Sequence, residues 1–157
     1  QFRDITTLLK DGPGFHATIE ALVERYRGQQ ISKIVGIESR GFMFAAPLAY
    51  ALKLGFVPIR KKGKLPGEAI GHDYELEYGK DRIEIHHGAI DQGERILIVD
   101  DLLATGGTAQ AAATLVQKMG GQVIECAFLV DLPDIGGRKR LEHAGLPVFA
   151  LCEFEGD

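Results

Sequence analysis

The chain has 157 residues, and 18 Lys and Arg side chains against 22 Asp and Glu give it a formal net charge of −4. This slightly acidic balance argues against a nucleic-acid-binding protein, which would carry clustered positive charge. No apolar run approaches the roughly 20 residues that a membrane-spanning helix needs. We therefore expect a single domain over residues 1–157, with neither nucleic acid nor a membrane as a partner.

The first half of the chain alternates between predicted helix and predicted strand. Apolar side chains recur at helical spacing over residues 15–26, which predicts an amphipathic helix that ends near Gly28. The apolar segments Lys33–Ile37 and 56–60 predict two short strands, and the apolar segment 42–54 between them predicts a helix. Strands as continuously apolar as these are typical of a sheet that is covered on both faces.

The second half resumes the alternation after a basic segment rich in glycine and proline, residues 61–71, which predicts a flexible loop. Segments of alternating polarity on either side of residues 79–81 predict an antiparallel hairpin. Strands are predicted at residues 74–78, 82–86, 96–99, 123–130 and 148–151, and helices at residues 108–119 and 138–143. The pattern predicts an α/β fold with a mainly parallel central sheet flanked by helices, one antiparallel hairpin and a flexible loop.

The strongest chemical signal is the segment at residues 96–108, where an apolar strand is followed by two carboxylates and then by small residues. Backbone N–H groups and hydroxyls at the start of a helix are well suited to binding a phosphate. The segment lacks the lysine of the GxxxxGK[ST] motif, so a triphosphate-binding loop is not indicated. The residues that we expect to hold an anion are Thr105, Gly106, Gly107 and Thr108.

Asp100 and Asp101, which we call the acidic pair, directly precede these small residues. Two carboxylates would repel a phosphate unless they faced another part of the ligand. Carboxylates accept hydrogen bonds from vicinal hydroxyls, either directly or through Mg²⁺ and its waters. A phosphate site beside an acidic pair therefore indicates a ribose 5-phosphate unit. The structural alternative is an acidic turn that caps an ordinary helix, which the complete 13-residue run disfavours.

Cations at two other places indicate a second anion site. Ser39 and Arg40 lie between a predicted strand and a predicted helix, although a helix-capping serine and a solvated arginine are the alternative. Arg60, Lys61 and Lys64 lie within five residues of one another in a chain of negative net charge. Such a charge run is usually a solvated surface, but its concentration here favours an anion contact on a loop that can close.

These segments resemble the type I phosphoribosyltransferases and, among them, the branch that uses adenine. The matching segments occur in the family's order and span nearly the whole chain: Phe2-Arg-Asp4, Glu38-Ser-Arg-Gly-Phe42, residues 60–67, Leu76-Glu-Tyr-Gly79 and residues 96–108. The resemblance implies the type I phosphoribosyltransferase fold. It also implies transfer of the 5-phosphoribosyl group of phosphoribosyl pyrophosphate (PRPP) to adenine, with AMP and pyrophosphate as products. Mg²⁺ held mainly through PRPP and water and a homodimer are implied as well.

The resemblance further assigns roles to individual residues. It assigns the 5-phosphate to Ala104 together with the four small residues that follow it, and we call residues 104–108 the phosphate loop. It assigns catalytic roles to the acidic pair and to Glu77, which would handle a proton near purine N7. Pyrophosphate is assigned to Ser39, Arg40, Arg60, Lys61 and Lys64, and base contacts to Arg3, Tyr78, Leu102 and Leu103. Two leucines at such a position are more often part of a core.

Several alternatives stay open at this point. The same fold could serve another base, because only the flanking motifs select adenine. A non-catalytic PRPP-binding regulator would not need Glu77 or the basic loop, and an interaction module would use the glycine loops structurally. The N-terminal segment of the family has no counterpart before Gln1, so we expect the hood over the base to be incomplete in this chain. Cys126 and Cys152 lack CxxC spacing, so we expect buried thiols in a reducing cytoplasm.

Overall fold

Strands and helices alternate along most of the chain in a computed structural model that describes residues 5–76 and 79–155. The strands are β1 (Lys33–Ile37), β2 (Gly55–Lys61), β3 (Ala69–Leu76), β4 (Gly79–His86), β5 (Arg95–Leu103), β6 (Gln122–Asp131) and β7 (Val148–Glu153). The helices are α1 (Thr6–Lys10), α2 (Gly12–Tyr26), α3 (Phe42–Leu52), α4 (Gly107–Lys118) and α5 (Gly137–His143), and a 3₁₀ turn covers Pro133–Ile135. Among the described residues, no helix has both the length and the apolar character needed to cross a membrane.

The strands form one sheet in the order β3-β4-β2-β1-β5-β6-β7. Strands β2, β1, β5, β6 and β7 run parallel to one another, whereas β4 is antiparallel to β2 and β3 is antiparallel to β4. The predicted α/β fold, with a mainly parallel sheet and an antiparallel hairpin, is confirmed. Because β1 lies between β2 and β5, the segments that follow these three strands meet at one edge of the sheet.

The central strands bury both of their faces, as their continuous apolar sequences predict. In β5, Ile96 and Ile98 pack in a cluster with α4, whereas Leu97 and Val99 pack in a second cluster with α2 and α3. Each of these four side chains is at most 1% exposed. Successive side chains of a strand point to opposite faces, so the sheet is held between two apolar layers. This packing holds the strand ends that carry the polar segments.

Strand ends are where the sequence-based boundaries differ most from the structure. The prediction ended the fifth strand at residue 99, but pairing with β6 continues to Leu103, so the acidic pair lies within β5. The predicted loop at residues 61–71 is shorter, because Lys61 belongs to β2 and Ala69 begins β3. Residues 79–81, predicted as the hairpin turn, begin β4 instead. Helix α1 was not predicted, and a partner strand rather than local sequence decided the other differences.

Candidate functional site

A cleft of about 650 Å³ opens at the edge of the sheet where β1, β2 and β5 end. Its volume lies within the range of pockets that bind small molecules. A smaller recess of about 110 Å³ adjoins it beside the phosphate loop and is lined also by Leu102, Leu103 and Phe128. The residues that line the cleft are Ile37, Glu38, Ser39, Arg40, Lys61, Lys64, Asp100, Asp101, Leu102 and Thr108. Most of the predicted phosphate and pyrophosphate residues therefore lie around connected space.

The phosphate loop joins β5 to the first turn of α4. Gly106 has φ +85°, a left-handed conformation that glycine adopts without the steric cost of a side chain. This conformation leads directly into the 12-residue helix α4, which begins at Gly107. Thr105 is exposed, and its Oγ1 accepts a hydrogen bond of 3.4 Å from the backbone N–H of Gly107. The first N–H groups of a helix have no partner within the helix, so this end of α4 suits an anion.

The acidic pair is tied to the loop after β1. Asp101 is 6% exposed, and its Oδ2 lies 2.9 Å from Nε of Arg40. Asp100 Oδ1 accepts a hydrogen bond of 2.8 Å from the backbone N–H of Asp101. Burial, and then the negative charge of Asp101, raise the pKa of Asp100 well above its ordinary value. Arg40 was predicted to clamp an anion, and in this structure its Nε pairs with one carboxylate of the acidic pair.

The loop after β1 approaches β5 very closely at Gly41. A Cβ atom on Gly41 would lie 2.5 Å from the carbonyl oxygen of Ile37 and 3.0 Å from both Asp100 Oδ1 and the carbonyl oxygen of Val99. Only glycine fits there without movement of the loop. Gly41 rather than Ser39 is the N-cap of α3, and the helix start has no side-chain cap hydrogen bond. The peptide bond between Glu38 and Ser39 is cis.

Glu38 holds the beginning of the basic loop. Its Oε1 accepts hydrogen bonds from Nε of Arg60 (3.2 Å) and the backbone N–H of Lys61 (2.8 Å). Its Oε2 accepts one of 2.8 Å from Nζ of Lys64. Burial alone would raise the pKa of Glu38, but the hydrogen bonds from Lys64, the Lys61 backbone and Arg60 outweigh it and lower the pKa to about 2. Of the predicted pyrophosphate residues, Arg60 lies behind Glu38 and is not part of the cleft lining.

A second polar network connects Lys61 to the phosphate loop. Lys61 Nζ lies 2.8 Å from Oδ2 of Asp81 and 3.3 Å from the hydroxyl of Tyr74. The Thr108 hydroxyl donates to the same Tyr74 hydroxyl at 3.2 Å. Burial alone would lower the pKa of Lys61, but its hydrogen bonds with Asp81 and Tyr74 raise it. The β3–β4 hairpin therefore contacts residues assigned to the two ends of the ligand.

The residues assigned to the base are less completely placed. Leu102 is half-buried and lines the cleft, whereas Leu103 is 1% exposed and packs in the core behind the phosphate loop. Arg3, Glu77 and Tyr78 lie outside the described residues. Within the described part of the chain, no group of three or more His, Cys, Asp or Glu side chains is arranged to hold a metal ion.

Three residues at or beside the cleft were missed by the sequence reasoning: Glu38, Tyr74 and Asp81. Glu38 had a signal, because it opens the Glu38-Ser-Arg-Gly segment that was singled out for Ser39 and Arg40. Tyr74 and Asp81 are directly opposite each other in the register of β3 and β4. Nothing in the local sequence indicates that pairing, so these two residues could be found only from the structure.

Comparisons with known proteins agree with this geometry. Residues 6–144 match the family model for the phosphoribosyl transferase domain. The adenine phosphoribosyltransferase of Nitrosospira multiformis is 66% identical over 156 residues, which cover 99% of this chain and 89% of that protein.

Solved structures give the same result. The adenine phosphoribosyltransferase of Thermoanaerobacter pseudethanolicus has a TM-score of 0.93 and 50% identity, and the match covers 98% of this chain and 88% of that chain. The enzyme of Saccharomyces cerevisiae, solved with adenine and an imino-altritol bisphosphate, has a TM-score of 0.88 and 44% identity, with 96% of this chain and 86% of that chain covered. The similarity therefore extends over nearly the whole of each chain.

Proposed function

The chain belongs to the adenine phosphoribosyltransferase family of phosphoribosyl transferase domains, and on this premise we propose that it transfers the 5-phosphoribosyl group of PRPP to adenine. The products are AMP and pyrophosphate, which makes the reaction a step of purine salvage. One observation carries the proposal: the cleft and its adjoining recess bring together a phosphate loop, an acidic pair and the cations Arg40, Lys61 and Lys64. The resemblance predicted from the sequence motifs is confirmed by the family match.

The placement of PRPP follows from charge. The 5-phosphate occupies the recess beside the phosphate loop, where the N-terminus of α4 attracts an anion. The ribose hydroxyls face the acidic pair, and the pyrophosphate faces Ser39, Arg40, Lys61 and Lys64 across the cleft. This arrangement separates the two phosphate groups from the carboxylates and keeps the anomeric carbon between them.

The reaction breaks the bond between the anomeric carbon and pyrophosphate and forms a bond from that carbon to adenine nitrogen N9. Positive charge develops on the ribose ring as pyrophosphate departs, and the acidic pair stabilises it. Arg40, Lys61 and Lys64 stabilise the charge on the departing pyrophosphate. Since no covalent enzyme intermediate is required, most of the rate enhancement comes from positioning and electrostatics. The resemblance assigns to Glu77 the proton that the purine loses, and to Arg3, Tyr78 and Leu102 the contacts with the base.

Mg²⁺ fits this site as a ligand-borne cofactor. The acidic pair lines the cleft and would offer the carboxylate oxygens that Mg²⁺ prefers. When bound through PRPP and water, Mg²⁺ neutralises part of the pyrophosphate charge. Asp101 already pairs with Arg40, so we propose that the metal contacts mainly the substrate.

The exposed side of α3 supports a homodimer. This helix carries no charged residue, and Met43 and Tyr50 are 48% and 87% exposed. Apolar side chains grouped on one helix face are typical of a surface that a second copy covers. We expect Tyr50→Glu to shift the protein from dimer to monomer in light scattering after size-exclusion chromatography. An unchanged dimer mass would place the interface elsewhere.

We also propose a cytoplasmic location. Neither thiol forms a disulfide, as is usual in a reducing compartment. The expectation that both thiols are buried was wrong for Cys152, which is exposed near the end of β7, whereas Cys126 is buried. Cys152 Sγ nevertheless contacts the carbonyl oxygen of Leu129 at 3.4 Å.

The proposed function is tested by incubating the protein with PRPP, Mg²⁺ and, separately, adenine, hypoxanthine, guanine and orotate. We expect AMP from adenine and little product from the other bases. Preference for a 6-oxopurine or orotate would indicate another member of the wider phosphoribosyltransferase family. Calorimetric binding of PRPP without any product would favour a regulator, and absence of PRPP binding would favour an interaction module.

A further inference from the structure

Glu38 is a carboxylate inside a site that we propose binds an anion, and it therefore needs an explanation. It lines the cleft beside Ser39 and Arg40, yet its side chain is only 8% exposed. An isolated carboxylate at this position would repel pyrophosphate. Here it is surrounded by donors from the next strand and loop, at 2.8 to 3.2 Å.

The donors around Glu38 divide into two kinds. The guanidinium of Arg60 and the backbone N–H of Lys61 approach Oε1 from β2. Arg60 does not line the cleft. Lys64 approaches Oε2 from the loop after β2; its side chain is 52% exposed, and it does line the cleft. Glu38 uses one of the three N–H groups of the Lys64 ammonium, so the other two can be offered to a ligand.

The charges of this cluster favour an anion in spite of the carboxylate. Glu38 contributes −1, whereas Arg60 and Lys64 contribute +1 each, so the three side chains together are positive. Arg60 Nη1 also reaches the carbonyl oxygen of Lys64 at 3.5 Å, which ties the loop backbone to the same cluster. Arg60 offsets the negative charge of Glu38 from behind, while Lys64 carries positive charge into the cleft.

We infer that Glu38 is a positioning residue: it orients the Lys64 ammonium toward the pyrophosphate, with Arg60 as its counterion. This inference rests on the proposed function, since it assigns the pyrophosphate to that side of the cleft. The alternative is that Glu38 merely occupies the cations until pyrophosphate displaces it. Burial and the bond from the Lys61 backbone oppose displacement, because Glu38 would leave a backbone N–H without its partner.

The test measures binding of inorganic pyrophosphate with Mg²⁺ by calorimetry in wild type, Glu38→Gln and Glu38→Asp. We expect both variants to bind roughly tenfold or more weakly, because Gln turns an N–H donor toward a cation and Asp cannot span the same distance. In steady-state kinetics KM for PRPP should rise, whereas KM for adenine should stay within about twofold. Thermal unfolding shows whether each variant is folded, and Glu38→Asp decides the question if Glu38→Gln is not.

Glu94 provides a matched control at the opposite edge of the sheet. Its Oε1 likewise accepts a lysine ammonium, from Lys33 at 2.9 Å, and a backbone N–H, from Asp91 at 2.7 Å. Glu94→Gln should change pyrophosphate affinity by less than about twofold, because it removes a similar carboxylate far from the cleft. If Glu94→Gln lost as much pyrophosphate affinity as Glu38→Gln, the effect of Glu38→Gln would be explained by general destabilisation, and the inference would be overturned.

A Lys64→Met background separates positioning from other roles. If Glu38 acts through Lys64, adding Glu38→Gln to Lys64→Met should weaken pyrophosphate binding much less than it does in wild type. An undiminished effect, or a Glu38→Gln variant that binds pyrophosphate as tightly as wild type or more tightly, overturns the inference. A wild type that binds pyrophosphate but forms no AMP contradicts the proposed function alone, and the variant series still decides the role of Glu38. A wild type that binds no pyrophosphate overturns both.

Discussion

Replacing Gly41 by alanine should damage the proposed pyrophosphate site more than the fold. The new Cβ would lie 2.5 Å from the carbonyl oxygen of Ile37, whereas ordinary contacts begin near 3.4 Å, so something must move by about 0.9 Å. The neighbouring oxygens of Ile37 and Val99 belong to paired central strands, and they cannot yield without breaking the sheet. We expect the loop that carries Ser39 and Arg40 to move instead.

The size of the effect follows from this displacement. Overpacking of this kind typically costs about 1–3 kcal/mol of unfolding free energy. A misplacement of about 1 Å in a group that positions substrate can lower the rate roughly 100-fold. For Gly41→Ala we therefore expect kcat/KM for PRPP to fall by about two orders of magnitude, with a moderate loss of thermal stability.

The assay compares Gly41→Ala with Gly55→Ala, a matched control in β2. A Cβ on Gly55 would meet nothing closer than 3.7 Å, which is an ordinary contact, and Gly55 lies at the opposite edge of the sheet. Initial rates of AMP formation over a range of PRPP concentrations give kcat/KM, and chemical denaturation gives the unfolding free energy. Wild-type kinetics in a folded Gly41→Ala protein would refute the argument that the close approach of this loop to β5 positions Ser39 and Arg40.

Three further predictions concern carboxylates. Changing both residues of the acidic pair to Asn should cut turnover severely while circular dichroism shows an intact fold; near-normal kinetics would contradict their assigned role. Asp81→Asn should release Lys61 and strengthen pyrophosphate binding measured by calorimetry. The control variant Asp73→Asn disrupts the exposed pair with Arg82 on the same hairpin and should leave pyrophosphate binding unchanged. Weaker binding in Asp81→Asn would show that Asp81 positions Lys61 instead. The pKa of Glu38 is lowered from 4.5 to about 2, so the stability that its ionised form contributes is complete above about pH 4.5 and is lost as the pH falls toward 2. The ionised Glu38 side chain contributes at most roughly 3 kcal/mol to the free energy of unfolding. Denaturation curves should therefore show the unfolding free energies of wild type and Glu38→Gln converging as the pH falls. A difference in unfolding free energy that stays constant from pH 6 to pH 2 would exclude this linkage.

The alternation of apolar segments was enough to predict the fold class and the position of most elements. It was not enough to predict where strands end, because pairing with a neighbour extends β5 through the acidic pair and starts β4 at Gly79. Helix α1 has only five residues and no buried side chain, so it lacks the periodic apolar pattern on which the prediction depends.

The candidate site was predictable where one continuous segment carries the chemistry. Residues 96–108 hold the acidic pair and the phosphate loop side by side, and Gly106 adopts the left-handed turn that such a loop uses. Arg60 was assigned to pyrophosphate with the rest of the basic segment, but its side chain binds Glu38 and does not line the cleft. Counting charges along the chain could not distinguish a cation that faces the cleft from one that neutralises a carboxylate.

The sequence by itself determined the α/β fold class and predicted a ribose-phosphate site, because the spacing of apolar, acidic and small residues is a local property. Only the tertiary structure decided which charges act together. Glu38, which follows β1, meets Lys64, which follows β2, and Asp81 of β4 meets Lys61 of the neighbouring strand β2, at 2.8 Å in both cases. Electrostatic interactions of this kind depend on distance in space, and the order of strands in the sheet, rather than separation along the chain, sets that distance.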